Sequence, residues 1–324
     1  MRGGRAGELH EEVHRKGVSP INVHYVKFIS ACLLFGSNGI VASHILMSSH
    51  EIVFLRTLIG SLFLLAVFVL TGGKFSGLRN IRHLAFLILS GGAMGASWIF
   101  LFEAYQRIGV GMATLAYYCG PVIVMALSPL LFKEKLTLAR ICGFAAVLLG
   151  MFLVNRDALM LGGISWGLIC GMLSAVMFAL MVILNKMAAS ITGFENAVWQ
   201  LATSFVTVAI YTVLRQGFAI DIPSGSFAPV LLLGLVNTGV GCYLYFSSMQ
   251  RLPAQSVAIC GYLDPLSALV FAAVFLAERM SPEQMTGAAL ILGGAAFGEY
   301  YGRKRLPRVV AEGNMEKRAT ENTN

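Results

Sequence analysis

The chain has 324 residues and a formal net charge of +8, yet only 12% of its residues are charged and 57% are hydrophobic. Soluble domains carry about 25% charged residues, so too little polar surface is available to meet water, and a mean hydropathy of +0.75 fits a chain solvated by lipid. That balance excludes an ordinary globular enzyme and predicts an all-α integral membrane protein that crosses the bilayer many times.

Residues 1–22 read as a polar N-terminal tail. Ten apolar stretches follow, each close to the ~20 residues a helix needs to span a bilayer. They cover 24–46, 52–71, 83–103, 110–131, 137–155, 163–185, 195–214, 227–248, 254–276 and 282–301. The first starts too late and runs too long for a cleaved signal peptide, so it counts as a span. The links are short and carry turn residues, as in "TGGKFSG" (71–77), "KEKLT" (133–137), "NRDA" (155–158) and "DIPSGS" (221–226), and none has room for a soluble domain. A basic tail occupies 302–324.

Charge placement sets the expected orientation. With the N-terminus inside, nineteen Lys and Arg residues fall on the cytoplasmic side, against Arg107, Arg156, Arg215 and Arg279 opposite, while Arg56 lies within a span. Basic residues resist translocation, so both termini are expected in the cytoplasm, in a plasma (inner) membrane. The positive charge is then an orientation signal beside anionic lipid and calls for no nucleic-acid partner.

The sequence also meets itself at an offset of 144 residues. Phe102, Gln106, Arg107, Tyr118, Pro121, Glu134, Gly143 and Gly150 match Phe246, Gln250, Arg251, Tyr262, Pro265, Glu278, Gly287 and Gly294 without a gap. Residues 23–155 and 163–301 thus form two repeats of five spans. Five is odd, so the second repeat enters from the opposite side. Inverted repeats of this kind are common in secondary transporters, with the substrate site near the midplane between them.

These features resemble the EamA family of the drug/metabolite transporter superfamily. The resemblance covers roughly 24–300 and rests on "LLFGSNGIVAS", "EIVFLRTLIGSLFLL" and the paired segments "GPVIVMALSPLLFKEKLT" and "DPLSALVFAAVFLAERMS". Two departures stand out: Phe35 and Phe178 replace a frequent tryptophan, and Ser43 or His44 a frequent lysine. The resemblance implies a ten-helix transporter of small organic molecules, with the first, third, fourth, sixth, eighth and ninth spans around a cavity. It does not imply which substrate, since such families resemble exporters of amino acids, nucleotide-like compounds and drugs alike.

Few ionisable groups sit at depth. Asp264 lies near the middle of the ninth span, where a charge costs ~2.5–3.5 kcal/mol on insertion scales, so it must face protein or water. Pro265 next to it frees the carbonyl of Gly261 and predicts a bend. The fourth span repeats the proline as Pro121 but has Gly120 in place of the acid. Both prolines are therefore expected hinges, and Asp264 either binds substrate or a proton, or stabilises its own bend. Arg56, Glu103 and His44, near the extracytoplasmic ends of their spans, suggest an outer gate or a structural ion pair. Asn38, Trp98, Tyr117, Tyr118, Asn237, Tyr243, Tyr245 and Tyr262 are candidate cavity walls for a small organic substrate, although packing explains a lone tyrosine equally well. Glu134 and Glu278 stand just before the fifth and tenth spans, where a carboxylate can cap helix amides.

No GxxxxGK[ST], HExxH or CxxC occurs, and the six cysteines all lie in apolar spans. No catalytic residue, metal or cofactor is therefore expected. The expected function is a secondary, ATP-independent transporter of small organic metabolites, an exporter working by alternating access; the alternative is a non-transporting membrane sensor or structural protein. A homodimer is compatible with the sequence, which sets no register for one.

Overall fold

The computed structural model describes residues 20–154, 166–217, 222–275 and 281–304, and all regular structure among them is helical. The two tails, Arg156, Glu278 and Arg279 lie outside the described residues. In chain order the helices are α1 (Pro20–Gly36), α2 (Asn38–Ser43), α3 (Ser49–Leu70), α4 (Ile81–Tyr117), α5 (Cys119–Phe132), α6 (Leu138–Val154) and α7 (Trp166–Met187). They continue with α8 (Gly193–Gln216), α9 (Phe227–Leu232), a π-helical stretch (Leu233–Val240), α10 (Gly241–Met249), α11 (Ala254–Gly261), α12 (Leu263–Phe275) and α13 (Pro282–Lys304). Among the described residues, seven helical stretches are long and apolar enough to cross a membrane, and Cys119–Phe132 and Leu138–Leu153 are shorter apolar helices.

The distribution of side chains is that of a membrane protein. Leu33, Leu62, Leu89, Leu149, Ile210 and Leu292 are each more than two-fifths exposed, while Ser90, Ser97, Ser174 and Thr57 are buried. Lipid solvates the leucines, so small polar residues can sit between helices and bond across them. Ser97 and Ser174 do so reciprocally, each hydroxyl donating to the other's carbonyl at 2.9 and 2.8 Å.

Helix α4 is longer than its sequence span because it includes a reversal. Ala104 and Ala116 would stand about 18 Å apart along a straight helix. Both instead flank Gly171 of α7, 3.9 and 2.7 Å from where a Cβ on that glycine would lie. The helical run therefore doubles back between Ala104 and Ala113. Its second limb and α5 together form the stretch expected as the fourth span.

Helix ends gather at two faces. At one, Tyr25 at the start of α1 donates to Ser256 at the start of α11 (2.9 Å). Glu195, opening α8, accepts there from Ser76 (2.5 Å) and from the Gly77 amide (2.7 Å). At the opposite face the Leu46 amide, after α2, donates to Ser226 before α9 (2.9 Å). Glu103, near the end of the first limb of α4, there meets Arg215 near the end of α8 (3.3 Å). Consecutive spans, as distinct from the helical segments within a broken span, thus alternate in direction.

The pairing of α6 with α13 shows how the halves are related. A Cβ on Gly143 would lie 2.5 Å from the carbonyl oxygen of Gly294, and one on Gly150 would lie 2.5 Å from that of Gly287. Only glycine permits so close an approach. Gly143 corresponds to Gly287 in the repeat and Gly150 to Gly294, so each glycine contacts the counterpart of the other. Such exchange is the mark of a two-fold axis, and the falling register makes the helices antiparallel.

Candidate functional site

Two helix breaks organise the centre. α4 gives way to α5 at Tyr118 (φ −73°, ψ 2°), and α11 gives way to α12 at Tyr262 (φ −71°, ψ −6°). Each break lies three residues before a proline, Pro121 or Pro265. A proline at position i cannot donate to the carbonyl at i−4, which is Tyr117 or Gly261, and its ring crowds that carbonyl. The breaks touch each other: the Tyr262 hydroxyl donates to the Tyr118 carbonyl at 2.7 Å, and the two rings lie 5.8 Å apart. Tyr262 is fully buried and also packs on Phe144, so it ties the repeats together rather than lining open space.

A third break separates α1 from α2 at Ser37. The Asn237 side-chain amide fills it, donating to the Leu34 carbonyl (2.9 Å) and to the Ser37 hydroxyl (2.7 Å). Asn237 reaches that far from the π-helical stretch, whose wider turn rotates it and Thr238 out of α-helical register. The Thr238 hydroxyl donates to the Leu233 carbonyl (2.8 Å) and accepts from Arg56 Nε (2.9 Å). Asn38, just past the break, has a buried side-chain oxygen with no protein partner.

Asp264 opens α12 directly after the Tyr262 break. Its charge is within electrostatic reach of Arg56, Tyr117, Tyr118, Tyr245 and Cys32. Among the described residues no ion pair joins Asp264 to Arg56, although these two opposite charges face the same interior. Arg56 instead rests over the Trp98 ring, 5.0 Å from its centroid. Aromatic rings pack nearby: Tyr117 on Tyr118 (5.2 Å) and Phe178 (5.3 Å), and Tyr245 on Phe28 (4.7 Å) and Phe35 (5.8 Å). On the other side of Asp264, Gly36 of α1 packs so closely that a Cβ there would lie 2.9 Å from the Asp264 carbonyl.

Hydrogen bonds, ring contacts and electrostatic reach therefore bring Asp264, Arg56, Trp98, Tyr117, Tyr118, Tyr245 and Asn237 into one interior region, with Asn38 beside the Ser37 break and helices of both repeats contributing. Other candidates stand apart. Tyr243 packs on Phe194 (4.9 Å) and lies under Lys27 (5.4 Å), on a different face of α10 from Tyr245. Glu103 does not pair with Arg56: it holds Arg107 (3.0 Å) and Arg215 (3.3 Å) at the opposite face. Exposed His44 accepts from or donates to its neighbours only, at the Ile40 carbonyl (2.8 Å) and the Ser43 hydroxyl (3.3 Å). Thr238 and Ser37 were not expected, because their roles depend on a π-helical stretch and a break that hydropathy does not register.

Comparison with known proteins agrees with the two-repeat organisation of the chain. The model of the EamA-like transporter family matches twice, over residues 24–156 and 165–298. An uncharacterized transporter of Bacillus subtilis is 26% identical over 89% of this chain and 93% of its own. A probable amino-acid metabolite efflux pump of Salmonella typhimurium is 25% identical over 60% of this chain and 69% of its own. A probable terminal-alkyne amino-acid exporter of Streptantibioticus cattleyicolor is 27% identical over 66% and 72%. One crystal structure superposes with a TM-score of 0.75 over 86% of this chain and 98% of that one, at 20% identity, which speaks for the fold alone. With two matches that together span most of its length, the chain belongs to the EamA-like transporter family, a family of multi-pass membrane transporters.

Proposed function

We propose that the protein exports small zwitterionic metabolites, amino acids or close derivatives, across the plasma membrane by alternating access and without ATP. In this reading ten helices cross the bilayer, both termini lie in the cytoplasm, and the face that gathers the starts of α1, α6 and α11 is cytoplasmic. The supporting observation is the pair of unlike groups, Asp264 and Arg56, that lie within electrostatic reach in one aromatic-rich interior and form no ion pair among the described residues. A buried charge is costly unless it is paired, and a zwitterion would complete both: its amine meets Asp264 and its carboxylate meets Arg56 in bidentate fashion. Trp98, Tyr117 and Tyr245 supply apolar walls for the remainder of the molecule.

The breaks at Tyr118 and Tyr262 supply the moving parts. α11 and the second limb of α4 can tilt against α12 and α5, opening one face while the α6–α13 glycine seam holds as a fixed spine. The names of the Salmonella and Streptantibioticus relatives favour export of amino-acid compounds. Purified protein in proteoliposomes tests the proposal with a panel of amino acids, nucleosides and cationic drugs, measured by counterflow with and without a pH gradient. Exchange of amino acids alone is the expected result; exchange confined to nucleosides or drugs, or none with any compound, would overturn it.

A further inference from the structure

The turn between α10 and α11 is held from several directions. Lys186, at the end of α7, donates to the carbonyls of Met249 (3.2 Å) and Leu252, and Gln250 donates to those of Asn185 (2.9 Å) and Ala188 (3.2 Å). The first amides of α11 are capped by the other repeat: Ala254 N donates to Glu134 Oε1 (2.6 Å) and Gln255 N to Glu134 Oε2 (3.1 Å). A carboxylate there also complements the positive end of the helix dipole. Lys133, at φ 56°, is the one non-glycine residue in the left-handed region among those described, and it ends α5 so that Glu134 turns toward α11.

Arg140 approaches the same place from α6. It is only 1% exposed and packs against Gly302 near the end of α13. Its Nη1 donates to the Gln255 side-chain oxygen at 2.6 Å. Its Nε and Nη2, and the Gln255 side-chain nitrogen, are buried without a protein partner. A guanidinium has five N–H donors and a charge that burial penalises, so this arginine is under-partnered. Glu134 and Arg140 hold opposite ends of one residue, Gln255. Lys186 also lies within electrostatic reach of Glu134, but carbonyls already take up its ammonium.

We propose that Glu134 is a two-position latch for this face, capping the Ala254 and Gln255 amides when it is shut and pairing with the unpartnered N–H groups of Arg140 when α11 swings away. Each state satisfies one half of the network and leaves the other wanting. Neither state is strongly favoured, as a cycle through both requires. The latch is one-sided, because the repeat counterparts of Arg140 and Gln255 are Gln284 and Gly111. It rests on the alternating-access reading but not on any choice of substrate.

Alkylation of Cys32 by a membrane-impermeant maleimide tests it, in a chain whose other five cysteines are replaced and without any substrate. Cys32 is buried on α1 within electrostatic reach of Asp264, so on this proposal a reagent from the latched face meets it only when that face is open. Glu134→Gln removes both the charged cap of the shut state and the Arg140 pair of the open one, so it serves as the background in which Arg140 has no carboxylate to meet. Arg140→Gln removes the under-partnered charge of the shut state and the pair of the open one, so the rate should fall. In the Glu134→Gln background Arg140→Gln should leave the rate unchanged, whereas with Glu134→Asp, which keeps the charge, it should still lower it. No fall with Arg140→Gln in the otherwise unchanged protein, or an equal fall in the Glu134→Gln background, would overturn the latch. Loss of amino-acid counterflow with these shifts intact would instead fault the substrate assignment.

Discussion

The two broken helices share a bend and differ in what stands beside it. Tyr118 and Tyr262 break α4–α5 and α11–α12 at repeat-equivalent positions, three residues before equivalent prolines. Two residues after each break stand Gly120 and Asp264. Gly120 is buried where a Cβ would come within 2.7 Å of the Phe178 ring and 3.0 Å of the Ala175 carbonyl, so close packing onto α7 leaves no space beside it. Asp264 opens instead toward Arg56 and the tyrosines. Symmetry supplies the bend, and its violation supplies the charge.

Swapping features across the comparison should break it unequally. Gly120→Asp would place an unpaired carboxylate where even a methyl group has no room. The expected cost is several kcal/mol, seen as loss of monodisperse protein after extraction. Well-folded Gly120→Asp protein would mean that the first hinge has space for an acid and that the asymmetry is incidental. Tyr262→Phe is milder. It deletes one hydroxyl and leaves the Tyr118 carbonyl without its donor, which should cost about 1 kcal/mol. A thermal-shift assay should show lower stability, whereas Tyr118→Phe, whose hydroxyl contributes nothing to that bond, should show almost none. Equal effects would remove the Tyr262 tie from the account.

Much of this was legible in the sequence where the physics is local. Hydropathy reveals helices that lipid must solvate, and a proline removes its own helix bond wherever it stands, so the bends at 118 and 262 follow from Pro121 and Pro265. The gapless offset of 144 residues fits the α6–α13 glycine exchange. What escaped depends on distant partners. The break at Ser37 exists because Asn237, two hundred residues on, satisfies it. Glu134 stands before α6, yet it caps α11 in the other repeat. Tyr243 and Tyr245 are both apolar-span tyrosines, and at 100° per residue only packing decides which one faces the region around Asp264. Glu103 and Arg56 lie on adjoining spans with opposite charge, but Arg107, one turn from Glu103, is the nearer partner.

The central claim is that Asp264 and Arg56 grip the two ends of one zwitterion. Binding measured by counterflow competition would test it with three ligands: an amino acid, its decarboxylated amine and its N-acetylated acid. The account predicts that Asp264→Asn weakens the amino acid and the amine about 10- to 100-fold, the size of a lost charge-assisted hydrogen bond, and leaves the acid unchanged. Arg56→Gln should do the reverse, weakening the amino acid and the acid but not the amine. If both substitutions weakened all three ligands alike, or neither changed any, the two charges would not be reading the two ends of the substrate.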